Sequence, residues 1–223
     1  MVRFWGLWRI RHRKLPLSID KNVNVMIWGG IKMLILVGKS CSGKTTIQKE
    51  LVKLGLSPIV TYTTRTSRNG EKNGVSYHFV SEKEFFQLLR EDFFAETTTY
   101  KVFGGDIWHY GTAWDDIKEN AVLIGNPNNI EVLRNFDSVH PFVVYIDTDE
   151  NVIYERIMRR KDDIGEAQRR IIQDREDFSD IENFIDHRIE NNGLIEPEEI
   201  AKEIKALYEV HISSCEKNNK MED

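Results

Sequence analysis

The stretch MLILVGKSCSGKTT, Met33 to Thr46, decides how the rest of the chain is read. Its first half is apolar at every position, which predicts a strand buried on both faces. Its second half breaks into glycine, lysine and hydroxyl groups. KTTIQKELVKLG (residues 44–55) then sets Ile47, Leu51 and Leu54 at helical spacing, with Gly55 as a stop. Gly38, Gly43, Lys44 and Thr45 match the spacing G-x-x-x-x-G-K-[ST], with the buried strand before it and the helix after it.

The chemistry of that spacing is specific. Glycine lets the backbone turn tightly enough for successive N–H groups to point inward, where phosphate oxygens would sit. The helix amino terminus adds the positive end of a dipole. A chance glycine turn would not bring strand, motif and helix into register together. The expectation is a nucleoside triphosphate, ATP, on Gly38, Lys39, Ser40, Cys41, Ser42, Gly43, Lys44, Thr45 and Thr46. Lys44 would reach the β- and γ-phosphates and the Thr45 hydroxyl would ligate Mg2+. Cys41 reads as a small filler of the turn.

Working outward, short apolar runs alternate with helical stretches. PIVTYTT (58–64) reads as a β-branched strand, and SEKEFFQLLRE opens a short helix with Ser81 and Glu84 as a capping box. AVLIG and PFVVYI are further buried strands, and ENVIYERIMRR is a helix. KDDIGE is a charged bend, and AQRRIIQDREDFSDIENF (167–184) is a long helix. HRIEN is a last strand and EPEEIAKEIKALYEV a closing helix, with a polar tail, 211–223, that frays. No internal repeat is present. The alternation predicts an α/β fold, a parallel sheet flanked by helices.

Bulk properties narrow the function. At 223 residues the chain suffices for one core, with room for an inserted lobe. A formal charge of −5 argues against a broad grip on nucleic acid or an anionic membrane. No apolar run approaches the ~20 residues of a spanning helix. Two cysteines far apart, Cys41 and Cys215, suit a reducing cytoplasm better than a disulfide framework.

Residues 1–32 differ from the rest. They carry seven Lys/Arg against Asp20 alone, about +6, which leaves about −11 for residues 33–223. Three of the five tryptophans, Trp5, Trp8 and Trp28, sit there without a clean period. There is no continuous apolar centre and no small-residue cleavage site of a signal peptide. Trp28-Gly29-Gly30 must be encoded by G-rich codons that can spell a ribosome-binding sequence, so the expectation is that Met33 is the native start. The rival readings are a membrane-surface anchor and a basic partner-binding arm. Mass spectrometry of the native amino terminus checks this: it should begin at Met33, and a peptide from within 1–32 contradicts it.

A second informative stretch is TYTTRTSRNGEKNGVSYHFVSEKEF, Thr61 to Phe85. Arg65 and Arg68, three apart, precede a glycine-flanked loop and then Tyr77. Paired guanidiniums suit a dianionic phosphate. TTRTSRNGEKNGVSYHFV, FFAE ending at Glu96, and YGT at Tyr110–Thr112 together closely resemble the guanylate kinase family over about residues 33–208. The resemblance implies a P-loop NTPase-type core (33–60 and 113–210), an inserted GMP-binding lobe (about 61–112) and a helical lid (about 158–172). It further implies that Arg65, Arg68, Tyr77 and Tyr110 hold the phosphate of GMP, supported by Glu71, while Thr61, Glu96 and Thr112 read the base. One carboxylate can accept both the ring N–H and the amino group of guanine; adenine has no such donor pair on that edge.

ERIMRRKDDIGEAQRRI resembles the family's lid and puts Arg156, Arg160 and Arg170 where its phosphate-bridging arginines lie, with Arg159 and Arg169 one residue away. With Lys44 they would form the catalytic set of an ATP:GMP phosphotransferase, a monomer or weak homodimer. Two departures stand out. Asn126, in LIGNPNN, occupies the place of an expected aspartate and would reach Mg2+ only through water. The stretch from Glu96 to Tyr110 is also longer than usual, which places Asp106, Trp108 and His109 near the acceptor pocket. His109 lacks the partner spacing of a metal ligand. The alternatives are a kinase for another nucleotide or sugar monophosphate, which the intact Glu96 and YGT disfavour, and a non-catalytic binding module, which the intact GKSCSGKT disfavours.

Overall fold

The structure, a computed structural model, describes residues 30–68, 70–102, 105–160 and 164–219, without the side chains of residues 160, 164, 166, 167 and 216–219. Residues 1–29 lie outside it, and of the segment 1–32 set apart in the sequence Ile31 and Lys32 belong to the first strand. The apolar run forms strand β1 (Ile31–Val37) at the centre of a five-stranded parallel sheet. On one side of β1 lie β7 (Ala121–Ile124) and β2 (Ser57–Pro58), and on the other β8 (Val139–Asp147) and β9 (His187–Glu190).

Alternation along β1 explains both layers. Met33, Ile35 and Val37 face a cluster with Ile130 and Leu133 of helix α3 (Pro127–Arg134). Leu34 and Leu36 face Ile47 and Leu51 of α1 (Lys44–Lys53) and Ile204 and Tyr208 of α6 (Pro197–Asn219). These side chains are shut off from solvent, each contributing about 1.5–3 kcal/mol of hydrophobic stabilisation. Gly55, at φ +100, ends α1 as the sequence predicts.

A second sheet carries the inserted lobe, in the order β4 (His78–Phe79), β3 (Tyr62–Thr63), β6 (Ile107–Ala113), β5 (Phe94–Lys101). Helix α2 (Glu82–Arg90) packs on its outer face, with Phe85 stacked on Phe94 and the Ser81 hydroxyl accepting from the Glu84 N–H. Helices α4 (Glu150–Arg160) and α5 (Ile164–Asp177) follow β8.

Three expectations are corrected. PIVTYTT is two short strands, because the chain leaves the edge of the core sheet after Pro58 and enters the lobe's sheet at Tyr62. The long helix ends at Asp177, and a single 3-10 turn at Ile181–Asn183 replaces its last part. The polar tail is helical to Asn219, anchored by Ile212 against the core and by His211 beside the Phe142 ring. Among the described residues, no helix is long and apolar enough to cross a membrane.

Candidate functional site

The turn after β1 has the shape its glycines allow. Gly43 sits at φ +101 at the head of α1, and a Cβ there would lie 2.3 Å from the Asn191 amide nitrogen. A Cβ on Gly38 would lie 2.6 Å from the Ile146 carbonyl oxygen. Neither site has room for a side chain. Lys44 Nζ donates to the carbonyls of Gly38 (2.6 Å) and Lys39 (2.9 Å), so the ammonium lies across the turn itself. The Ser40 N–H donates to Asp174 Oδ2 of α5 at 2.6 Å, and Lys39 and Arg175 both pair with Glu150. Thr45 and Thr46 are exposed on the first turn of α1.

Facing this turn across a cleft of about 260 Å3 is the lobe's inner face. Lys44, Gly38 and Ser40 line one wall; Arg65, Arg68, Tyr77 and Tyr110 line the other, with Thr61, Glu96 and Thr112 in the same cleft. Strand periodicity makes this possible. On β5 the alternate residues Glu96, Thr98 and Tyr100 line the cleft, and on β6 so do Trp108, Tyr110 and Thr112. Gly111, between two of them, lies under Phe94, whose ring would be 2.7 Å from a Cβ.

Arg65, almost wholly buried, is held in a fork by Glu71, Nη1 to Oε2 and Nη2 to Oε1 both at 2.9 Å, with the Tyr77 ring 5.1 Å from its guanidinium. Burial works against its charge, but Glu71 more than offsets it and the pKa is raised. Glu71 also accepts from the Arg68 N–H at 2.7 Å, and these contacts hold its carboxyl below the ordinary range despite partial burial. Arg68 is lowered, by burial first and then by the charges of Arg170 and Arg65. Three guanidiniums thus converge on one space, which is the electrostatic setting of an anion site.

Glu96 is buried at the far end. Its Oε1 accepts from the Thr112 hydroxyl at 2.5 Å. Burial pushes its pKa up to about 7, against the opposing hydrogen bonds from Thr112 and the Asn129 side chain. Asn129 is a participant the sequence reading missed. Asn126 and Asn129 cap α3 reciprocally: Asn126 Oδ1 accepts from the Asn129 N–H (3.0 Å), and Asn129 Oδ1 accepts from the Asn126 N–H (2.7 Å). An Asn-Pro pair before an apolar run is a helix-start signal that could have found this cap.

Other expected residues are placed differently. Arg156 lies beneath the turn, donating to the carbonyls of Cys41 and Asn191 (both 3.1 Å), and so braces the turn rather than lining the cleft. Arg160's side chain lies outside the described residues. Arg169 and Arg170 both line the cleft. Trp108 lines it, but His109 points to the opposite face, hydrogen-bonded to Thr99 and stacked with Phe85. Asp106 is exposed at the hairpin end. The side of His109 follows from strand alternation, whereas Asp106 lies just before β6 begins. Asn126 is engaged by Asn129, Thr98 and Tyr100, and no group of three His, Cys, Asp or Glu suited to a metal occurs among the described residues.

Glu96 gives a direct test in the free protein. Its carboxyl carbon, followed by NMR, should titrate with a midpoint near 7, and Thr112→Val should move it higher by removing a bond to the charged form. Because folding raises this pKa above 4.5, the stability it contributes is fully present below about pH 4.5 and is lost as pH rises through about 7. A midpoint near 4.5 would contradict the burial described.

Comparison with known proteins agrees with this architecture. The guanylate kinase family profile matches residues 30–210. The guanylate kinase of Schizosaccharomyces pombe is 43% identical over 94 residues, covering 40% of this chain and 43% of that protein. The chain therefore spans less than half the length of that curated relative in the aligned part. The guanylate kinase of Wolinella succinogenes is 32% identical over 196 residues, 80% of this chain and 88% of that one. In fold, the chain is similar to the crystal structure of guanylate kinase from Anaplasma phagocytophilum, with a TM-score of 0.57 at 22% identity, over 82% and 87% of the two chains. The chain belongs to the guanylate kinase family.

Proposed function

We propose that this chain transfers the γ-phosphoryl group of ATP to GMP, and to dGMP, forming ADP and GDP or dGDP. The observation that carries this reading is the single cleft with the Lys44 turn on one wall and Arg65 and Arg68 on the other. A triphosphate on the first and a monophosphate on the second would face each other, so positioning supplies much of the rate.

In this reading residues 38–46 hold ATP, with Lys44 moving from its own turn to the β- and γ-phosphates. Arg65, Arg68, Tyr77 and Tyr110 hold the acceptor phosphate, Glu71 fixes the two arginines, and Thr61, Glu96 and Thr112 read guanine. Arg170, with Arg169 beside it, balances charge on the migrating group from the lid, and lid closure excludes water. The acceptor phosphate is already anionic, so no general base is required.

Magnesium suits the exposed Thr45 hydroxyl, since this ion keeps most of its waters and takes few protein ligands beside the phosphates. When bound it supplies charge neutralisation at the phosphates. Asn126, committed to its cap and to Tyr100, is left out of that role. Lobe (61–112), lid (158–172) and core are the proposed moving parts. Neither Cys41 nor Cys215 is in a disulfide among the described residues, which favours a reducing, cytoplasmic setting.

The test is ADP release from ATP across a panel of nucleoside monophosphates. GMP and dGMP should be used and AMP, CMP and UMP should not. Lys44→Ala should abolish transfer. Glu96→Gln should raise the KM for GMP roughly tenfold to hundredfold and leave ATP binding unchanged. Equal use of AMP, or equal loss of ATP and GMP affinity in Glu96→Gln, would refute the roles. GMP binding without ADP release would make the chain a binding module.

A further inference from the structure

The Asn126 side chain can be oriented without ambiguity. Its Oδ1 accepts from the Asn129 N–H, a backbone donor, so the other end of the amide must be the NH2 group. That Nδ2 donates to the Tyr100 hydroxyl oxygen at 2.9 Å and to Thr98 Oγ1 at 3.4 Å. Tyr100 therefore accepts from Asn126, and its own O–H proton is directed elsewhere. Among the described residues no acceptor for that proton is found, and the side chain lines the cleft.

The position of Tyr100 says what would take the proton. It lies on the cleft face of β5 four residues beyond Glu96, and its hydroxyl turns back to Asn126, beside Thr98 and within range of the Glu96 charge. Its ring stands edge-on to Tyr110 at 5.7 Å, Tyr110 stands edge-on to Tyr77 at 6.0 Å, and Tyr77 carries the Arg65 guanidinium. The hydroxyl thus sits between the Glu96 carboxylate and the Tyr110–Tyr77–Arg65 stack, beside the head of α3 and next to Tyr110, a residue assigned above to the acceptor phosphate. Burial, and then the nearby Asp177 charge, raise its pKa, so it stays a neutral donor.

We propose that Tyr100 is a further ligand of the acceptor phosphate, and that Asn126 is the positioning residue that turns its hydroxyl proton into the cleft. This rests on the phosphotransfer reading above. The choice of asparagine matters. A carboxylate at 126 would accept the Tyr100 proton and leave only a lone pair facing the phosphate, whereas the amide donates and frees that proton. Asparagine at 126 thus complements the tyrosine at 100 in a way that aspartate would not.

The experiment is calorimetric binding of GMP and of guanosine, without ATP or magnesium, to wild type, Tyr100→Phe, Asn126→Asp and the double variant. Thermal melting checks that each is folded, and aspartate keeps the helix cap. Tyr100→Phe should weaken GMP roughly tenfold to hundredfold and leave guanosine unchanged. Asn126→Asp should weaken GMP by a larger factor in wild type than in the Tyr100→Phe background, because the shared hydroxyl is already gone there. If Tyr100→Phe does not fold, Asn126→Asp with GMP against guanosine carries the test alone. GMP affinity unchanged in Tyr100→Phe, equal loss of GMP and guanosine, or strictly additive effects would overturn the assignment. A wild-type protein that binds no GMP would instead sink the functional reading.

Discussion

The structure depends on holding like charges together. Arg65, Arg68 and Arg170 share one cleft with Lys44, and like charges in a partly desolvated space repel. Glu71 makes the arrangement tolerable by accepting from the Arg65 fork and from the Arg68 backbone at once. On the opposite wall Lys44 is held by carbonyls of its own turn, and the Ser40 amide by the carboxylate of Asp174. Phosphate groups would meet the same donors with more charge, so substrate binding as proposed would exchange internal partners for external ones.

Two sheets bring these charges face to face. The core sheet delivers the glycine turn at the carboxyl end of β1, beside the end of β7, the place where open parallel sheets receive ligands. The lobe's sheet contributes by alternation: one face of β5 and β6 carries Glu96, Tyr100, Trp108, Tyr110 and Thr112, while the other packs Phe94 and His109 against α2. A one-residue slip in that pairing would exchange the two faces. The close packing of Gly111 against Phe94 and the register shift between Phe94 and Glu96 fix the pairing.

The parts legible in the sequence were those governed by local rules. The double-sided burial of β1, the glycine turn, the stop at Gly55 and the closing strand β9 each follow from a short window of residues. The cleft residues Arg65, Arg68, Tyr77, Glu96, Tyr110 and Thr112 were legible through family resemblance and not through chemistry alone, since an arginine pair or a lone glutamate means little without its partners. What stayed hidden was non-local. Arg156 braces the turn because Asn191, at the end of β9, supplies a carbonyl beneath it. Asp174 meets Ser40 across 134 residues. His109 faces away because strand register, not proximity in sequence, decides its side. Asn126 read as a neutral stand-in for an aspartate, reaching Mg2+ through water, whereas the structure has it donating to Tyr100.

The most direct measurement of two facing anion sites uses one molecule that spans both: adenosine and guanosine joined 5′ to 5′ through five phosphates. Occupying both cradles with one ligand avoids the cost of a second association, so it should bind more tightly than ATP or GMP alone and exclude both. An affinity no better than that of ATP, with GMP still binding beside it, would contradict the account.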